Sequence, residues 1–236
     1  MTPLGDTQRA FLELLVTRQA LKFGDFTLKS GRKSPYFINT GCFHQGGDLA
    51  RLGAAYAATI AEYFGEDVQV VFVPAYKGIP LALGAAQAYE TLVGHDVGWS
   101  YDRKEAKDHG DGGSFVGAPL LAGTRVVVVD DVLTAGTALR ETVSKLRPLG
   151  VTLLGAVVSV DRQEAGVRGR SALREVAEEC GIPVHAIVSI TAVVEYLAEK
   201  DKHGALDRTA SAFRAVVDTA AARGRGHDLT VRIHVE

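Results

Sequence analysis

An α/β fold built on a parallel sheet flanked by helices is what this 236-residue chain predicts, and three observations carry that expectation. Val126, Val127, Val128 and Val129 are consecutive and have no polar face, which suits a strand buried on both sides of a parallel sheet. From residue 48 onward, helical and strand periodicities alternate, as they do when helices cover both faces of such a sheet. Two adjacent carboxylates, Asp130 and Asp131, then end the valine strand, where open α/β sheets bind their ligands.

The elements follow in order. Residues 8–22 carry Phe11, Leu12, Leu14, Leu15 and Leu21 at helical spacing, with Gly24 as the stop. Residues 26–28 and 36–38 read as short strands around the polar turn 30–34. This is too little for a domain and suits a lid over the end of a larger sheet. Helices are expected at 49–64, 79–89, 137–146 and 171–180. Strands are expected at 68–73, 97–100, 125–129, 151–160 and 184–190. Residues 101–113 are polar and glycine-rich and read as a loop. Past 193–200, a further helical stretch, an Ala-rich helical pattern (210–222) and an alternating edge-strand pattern (229–235) complete the chain.

Five segments carry candidate chemistry. After Asp131 come Val132 and Leu133, then the small-residue loop Thr134, Ala135, Gly136, Thr137 and Ala138, which opens a helix. Backbone N–H groups in such a loop, aided by the helix amino terminus, cradle a phosphate. The carboxylates would repel that phosphate on contact, so they suit ribose hydroxyls or a metal. Pro74, Ala75, Tyr76, Lys77 and Gly78 form a second strand-end turn suited to a diphosphate, or else a routine Pro/Gly turn. Arg103, Lys104, Lys107 and His109 lie within seven positions, followed by Gly110, Gly112 and Gly113. Such a cationic loop can close on a polyphosphate, although charged loops are more often merely solvated. Arg162 offers a planar fork to a carboxylate, against the alternative of a surface ion pair with Asp161 or Glu164. In the lid, Lys29, Arg32 and Lys33 form a basic turn, and Phe37 and Ile38 supply either core packing or an apolar wall for a flat ring.

Bulk properties narrow the class. Hydrophobic residues make up 47% of the chain and charged ones 23%, ordinary for a globular protein, and the net charge of −2 gives no global attraction to nucleic acid or anionic membranes. The two cysteines, Cys42 and Cys180, fit neither a metal-ligand spacing nor a disulfide framework and read as reduced thiols of a cytoplasmic protein. No stretch approaches a membrane span and no signal peptide is evident. The histidines form no metal-spaced cluster.

The segment 126–138 resembles the phosphoribosyl diphosphate (PRPP) signature of the type I phosphoribosyltransferases. With the lid residues 21–37, the turn 74–78, the cationic stretch 103–110 and the block 161–164, all in family order, the chain is similar to the orotate phosphoribosyltransferases from residue 21 to about 196. The resemblance implies one domain over 1–236, with an amino-terminal hood near 20–45, a core of about 48–196 and an extension from about 201. It implies that Lys29, Tyr76, Lys77, Arg103, Lys104, Lys107 and His109 lie against PRPP. Asp130 and Asp131 would hold the ribose, and residues 132–138 the 5′-phosphate. Phe37, Ile38, Thr134 and Arg162 would surround orotate. Arg103, Lys107, His109, Asp130 and Asp131 are the catalytic candidates. The implied cofactor is Mg²⁺, carried by PRPP and water with no direct protein ligand. The implied assembly is a homodimer sharing the cationic loop. A purine-specific relative and a PRPP-sensing regulator are the rival readings. The hood and Arg162 disfavour the first, and the cationic loop disfavours the second.

Overall fold

The computed structural model describes residues 4–27, 33–107, 113–133, 136–164, 166, 168 and 170–202. Six strands form the main sheet in the order β5-β4-β3-β6-β7-β8: β3 (Val70–Val73), β4 (Gly98–Lys107), β5 (Gly113–Gly117), β6 (Arg125–Val132), β7 (Thr152–Asp161) and β8 (Val184–Ser189). All neighbours are parallel except the edge strand β5, which runs antiparallel to β4. The mostly parallel α/β sheet matches the expectation, and β5 is an addition to it. A separate two-stranded antiparallel sheet pairs β1 (Leu21–Thr27) with β2 (Lys33–Ile38).

Successive residues of a strand face opposite sides, and the valine run shows the consequence. Val127 and Val129 join one core with α1 (Asp6–Thr17), α2 (Gly46–Phe64), α3 (Ile79–Val93) and α6 (Ile190–Lys202). Val126 and Val128 join the other, with α4 (Thr137–Leu146) and α5 (Ala172–Cys180). All four valines are at most 1% exposed. Helix α4 reaches its core through Leu139, Thr142, Val143 and Leu146, a stripe at 3.6-residue period.

Two expectations need correction. The first helix ends at Thr17, not Lys22. The amides of Arg18, Gln19 and Ala20 fold back onto the last turn, Gln19 takes φ 51°, and Leu21 then pairs with Ile38 in β1. Leu21 fits the helical period because it is buried, but it is buried from a strand. Gly24 accordingly lies inside β1, where the pairing shifts register between Phe23 and Phe26. The second correction concerns residues 101–107, expected as loop. They continue β4 to Lys107, and pairing with β5 holds through Asp102–Phe115 and resumes at Lys107–Gly113. A hairpin at a sheet edge does not need an apolar face, so hydrophobic alternation does not reveal it. Leu28, Lys29, Arg32, His109, Gly110, Gly112, Thr134, Ala135 and the patterns at 210–222 and 229–235 lie outside the described residues.

Candidate active site

Strands β3 and β6 are neighbours, yet their following helices, α3 and α4, pack on opposite faces of the sheet. Such a switch point leaves a crevice beyond the carboxyl ends of the two strands. Both helix amino termini face that crevice from turns in which only glycine fits. At Gly78, the cap of α3, a Cβ would come within 2.2 Å of Val73 Cγ2. At Gly136, the cap of α4, φ is +73° and a Cβ would lie 2.2 Å from Val176 Cγ2. Two helix amino termini make this end of the sheet receptive to anions. Among the described residues, the Lys77 and Gly78 amides donate to no protein acceptor.

Asp130 and Asp131 stand between these turns. Their backbone is pinned from two sides: Tyr56 of α2, fully buried, donates to the Asp130 carbonyl at 2.7 Å, and Ser159 of β7 donates to the Asp131 carbonyl. Their side chains differ in fate. Asp131 accepts from the Thr40 hydroxyl (3.0 Å), its own Val132 amide neighbour (2.8 Å) and Lys77 Nζ (2.5 Å). Burial works against its ionisation, but the hydrogen bond and charge of Lys77, helped by Val132 and Thr40, hold the carboxyl below the ordinary value. Asp130 accepts only the Asp131 amide among the described contacts (2.8 Å). Burial, and then the Asp131 charge, push its carboxyl up to about 7. Burial thus penalises both carboxylates, and the Lys77 hydrogen bond offsets it at Asp131.

On the next strand, Arg162 follows the end of β7. It is 5% exposed, not a surface residue, and its Nε donates to Glu164 at 2.6 Å. Its guanidinium lies 4.7 Å above the Tyr36 ring, and the Tyr36 hydroxyl donates to its carbonyl at 3.2 Å. The β1–β2 sheet is therefore anchored at the site by Tyr36 and, just beyond β2, by Thr40. Within β2, Phe37 and Ile38 face opposite ways: Phe37 is 39% exposed and contacts Phe26, whereas Ile38 is buried in the core. Tyr76 is exposed, and the Ala75–Tyr76 peptide is cis. Val132 ends β6, Leu133 is buried, and Thr137 and Ala138 form the exposed first turn of α4. Arg103 is half-buried on β4, and its Nη1 is buried without a hydrogen-bond partner among the described residues. The backbones of Lys104 and Lys107 share that strand.

Sequence reasoning missed Thr40, Tyr36 as an anchor, and Asp102. Asp102 accepts from the Ala75 amide at 2.8 Å and from Lys145 Nζ. No local motif marks these residues, because their partners are 27 to 126 positions away.

A phosphoribosyl transferase domain model matches residues 40–187, which spans the pinned acidic pair, both glycine-capped turns and Arg162. An orotate phosphoribosyltransferase from Cronobacter sakazakii is 50% identical over 193 residues, covering 82% of this chain and 89% of that protein. One from Thioalkalivibrio sulfidiphilus is 49% identical over 208 residues, covering 88% and 95%. The chain belongs to the orotate phosphoribosyltransferase family. A crystal structure of the Francisella tularensis orotate phosphoribosyltransferase superposes with a TM-score of 0.71 at 37% identity, covering 89% of this chain and 98% of that one. The protein is accordingly a phosphoribosyltransferase of the pyrimidine pathway, the activity that joins orotate to a phosphoribosyl group. Among the described residues no three His, Cys, Asp or Glu side chains cluster as a metal cage, and no helix is long and apolar enough to cross a membrane.

Proposed function

We propose that the crevice at the β3–β6 switch point binds PRPP and that Arg162 and the β2 end bind orotate beside it. Asp130 and Asp131 take the ribose hydroxyls. Residues 132–138 at the amino terminus of α4 take the 5′-phosphate, and Tyr76, Lys77 and the 76–78 backbone take the diphosphate with Lys29 of the hood. Phe37, the backbone at Ile38, Thr134 and Arg162 surround orotate, with the guanidinium facing its carboxylate. The observation that carries this reading is the convergence of two glycine-capped helix amino termini on an acidic pair one member of which holds Lys77.

The chemistry asked of these residues is positioning and charge stabilisation. Orotate N1 forms a bond to ribose C1 as the C1–oxygen bond breaks, and the electron pair leaves with diphosphate. Positive charge develops on the ribose next to Asp130 and Asp131, and negative charge on the departing group. Lys77 and the segment Arg103, Lys104, Lys107 and His109 meet that negative charge. The buried Arg103 Nη1, which has no hydrogen-bond partner among the described residues, fits this, since a desolvated guanidinium nitrogen calls for an anion.

We read Mg²⁺ as the cofactor. The donor set fits an ion carried by the substrate: two carboxylates, one already engaged by a lysine, can reach it through water, while a protein cage is lacking among the described residues. When bound, it would neutralise diphosphate charge. A homodimer sharing the 103–109 segment, a single domain over 1–236, and a cytoplasmic location complete the reading; the unbridged Cys42 and Cys180 agree with a reducing compartment. The test offers orotate, hypoxanthine and adenine with PRPP, with and without Mg²⁺. Diphosphate release with orotate and Mg²⁺ alone is expected. Release with a purine, or none, would overturn the substrate assignment.

A further inference from the structure

We propose that Asp102 is a positioning residue for the diphosphate half of the reaction, fixing the 74–78 turn to the strand that carries the cationic segment. The inference rests on the assignment of that turn to diphosphate. Asp102 is only 6% exposed, and both its oxygens are used. One accepts the Ala75 amide at 2.8 Å, and the other accepts Lys145 Nζ from the last turn of α4. A carboxylate this buried is tolerated only when its oxygens are satisfied, so the two donors and Asp102 hold one another in place.

The three tied segments are those that the reaction needs in register. Ala75 opens the turn whose Lys77 and Gly78 amides donate to no acceptor among the described residues and whose Lys77 side chain reaches Asp131. Asp102 is the last β4 residue in regular pairing with β5 before the register shift, and Arg103 follows it directly. Helix α4 begins at the glycine cap beside the acidic pair. By claiming the Ala75 amide, Asp102 sets the direction in which the next amides point. A displacement of the turn would move Lys77 and the Gly78 amide together, away from the diphosphate and not from orotate.

The test is steady-state kinetics with Mg²⁺ on Asp102→Ala, Asp102→Asn, Lys145→Met and, as a control on the turn itself, Lys77→Ala. Asp102→Ala should raise the KM for PRPP about tenfold, the scale of one lost buried hydrogen bond, while the KM for orotate stays within about twofold. Asp102→Asn keeps an acceptor for the Ala75 amide, and the half-exposed Lys145 can turn to solvent, so most of the PRPP affinity should return. Lys145→Met should fall between them. An unchanged PRPP KM in Asp102→Ala, with a raised one in Lys77→Ala, would reject the role of Asp102 and leave the turn's assignment standing. No change in either variant would remove the assignment and the inference together. Equal loss toward both substrates, unrescued by Asn and accompanied by a lower Tm, would make Asp102 a structural residue only.

Discussion

The carboxyl end of β6 and the outer half of β4 both carry charged residues at a strand end, and they are built in opposite ways. At β6, Asp130 and Asp131 are held through their carbonyls by Tyr56 and Ser159 and through their side chains by Lys77, Thr40 and backbone amides. Along β4, the regular pairing with β5 ends at Asp102, and the residues beyond it meet a register shift before Lys107. The lesson is a division of labour. Under the proposed roles, the carboxylates must be held in place, whereas the cationic segment lies where regular sheet pairing is broken.

That comparison can be broken at either end. The largest expected effect is at the fixed end: Asp131→Asn should lower kcat/KM by on the order of a thousandfold, because it removes a ribose acceptor and frees Lys77 at once. Lys107→Ala, at the other end, should lower kcat about a hundredfold while the orotate KM changes little. Near-wild-type turnover in that variant would remove the β4 segment from the chemistry. Co-expression of these two variants should restore about a quarter of wild-type activity if the cationic segment is supplied across a twofold interface, and none if each subunit is self-sufficient.

The acidic pair also predicts a stability effect opposite in sign to its activity effect. The folded state raises the Asp130 pKa from 3.8 to about 7, so folded protein holds this proton more tightly than unfolded chain. The resulting penalty is absent below about pH 4, grows as pH rises, and is complete above about pH 7. Asp130→Asn removes it and should stabilise the protein by roughly 1–3 kcal/mol at pH 8 and by almost nothing at pH 4. Denaturant unfolding at the two pH values measures the difference. An equal effect at both would mean that Asp130 ionises normally. The neighbours on β2 should also separate: Ile38→Ala should cost roughly 2–4 kcal/mol of stability, and Phe37→Ala, the smallest effect, less than about 1.

How far these features were legible in the sequence follows from where their causes lie. The valine strand and its acids were readable because burial on both faces leaves no polar alternation and because the acids sit in the same short segment. Helix α4 was read with its observed bounds, 137–146, since its apolar stripe and Gly136 are local. The end of α1 was misplaced because Leu21 is apolar at the helical period, and only its pairing with Ile38 shows it to be a strand residue. The outer half of β4 reads as loop because an edge hairpin needs no hydrophobic face. Thr40, Tyr36 and Asp102 stayed hidden for a third reason: each acts on a residue far along the chain, and only the fold brings them together.

The central claim is that a phosphoribosyl diphosphate docks where β6 meets α4, and calorimetry tests it most directly. Titration of PRPP into the wild-type protein and into Asp131→Asn, with and without Mg²⁺, should give magnesium-dependent binding to the wild type and binding at least about tenfold weaker to the variant. Equal affinity for the two folded proteins would place the ligand elsewhere and contradict the account.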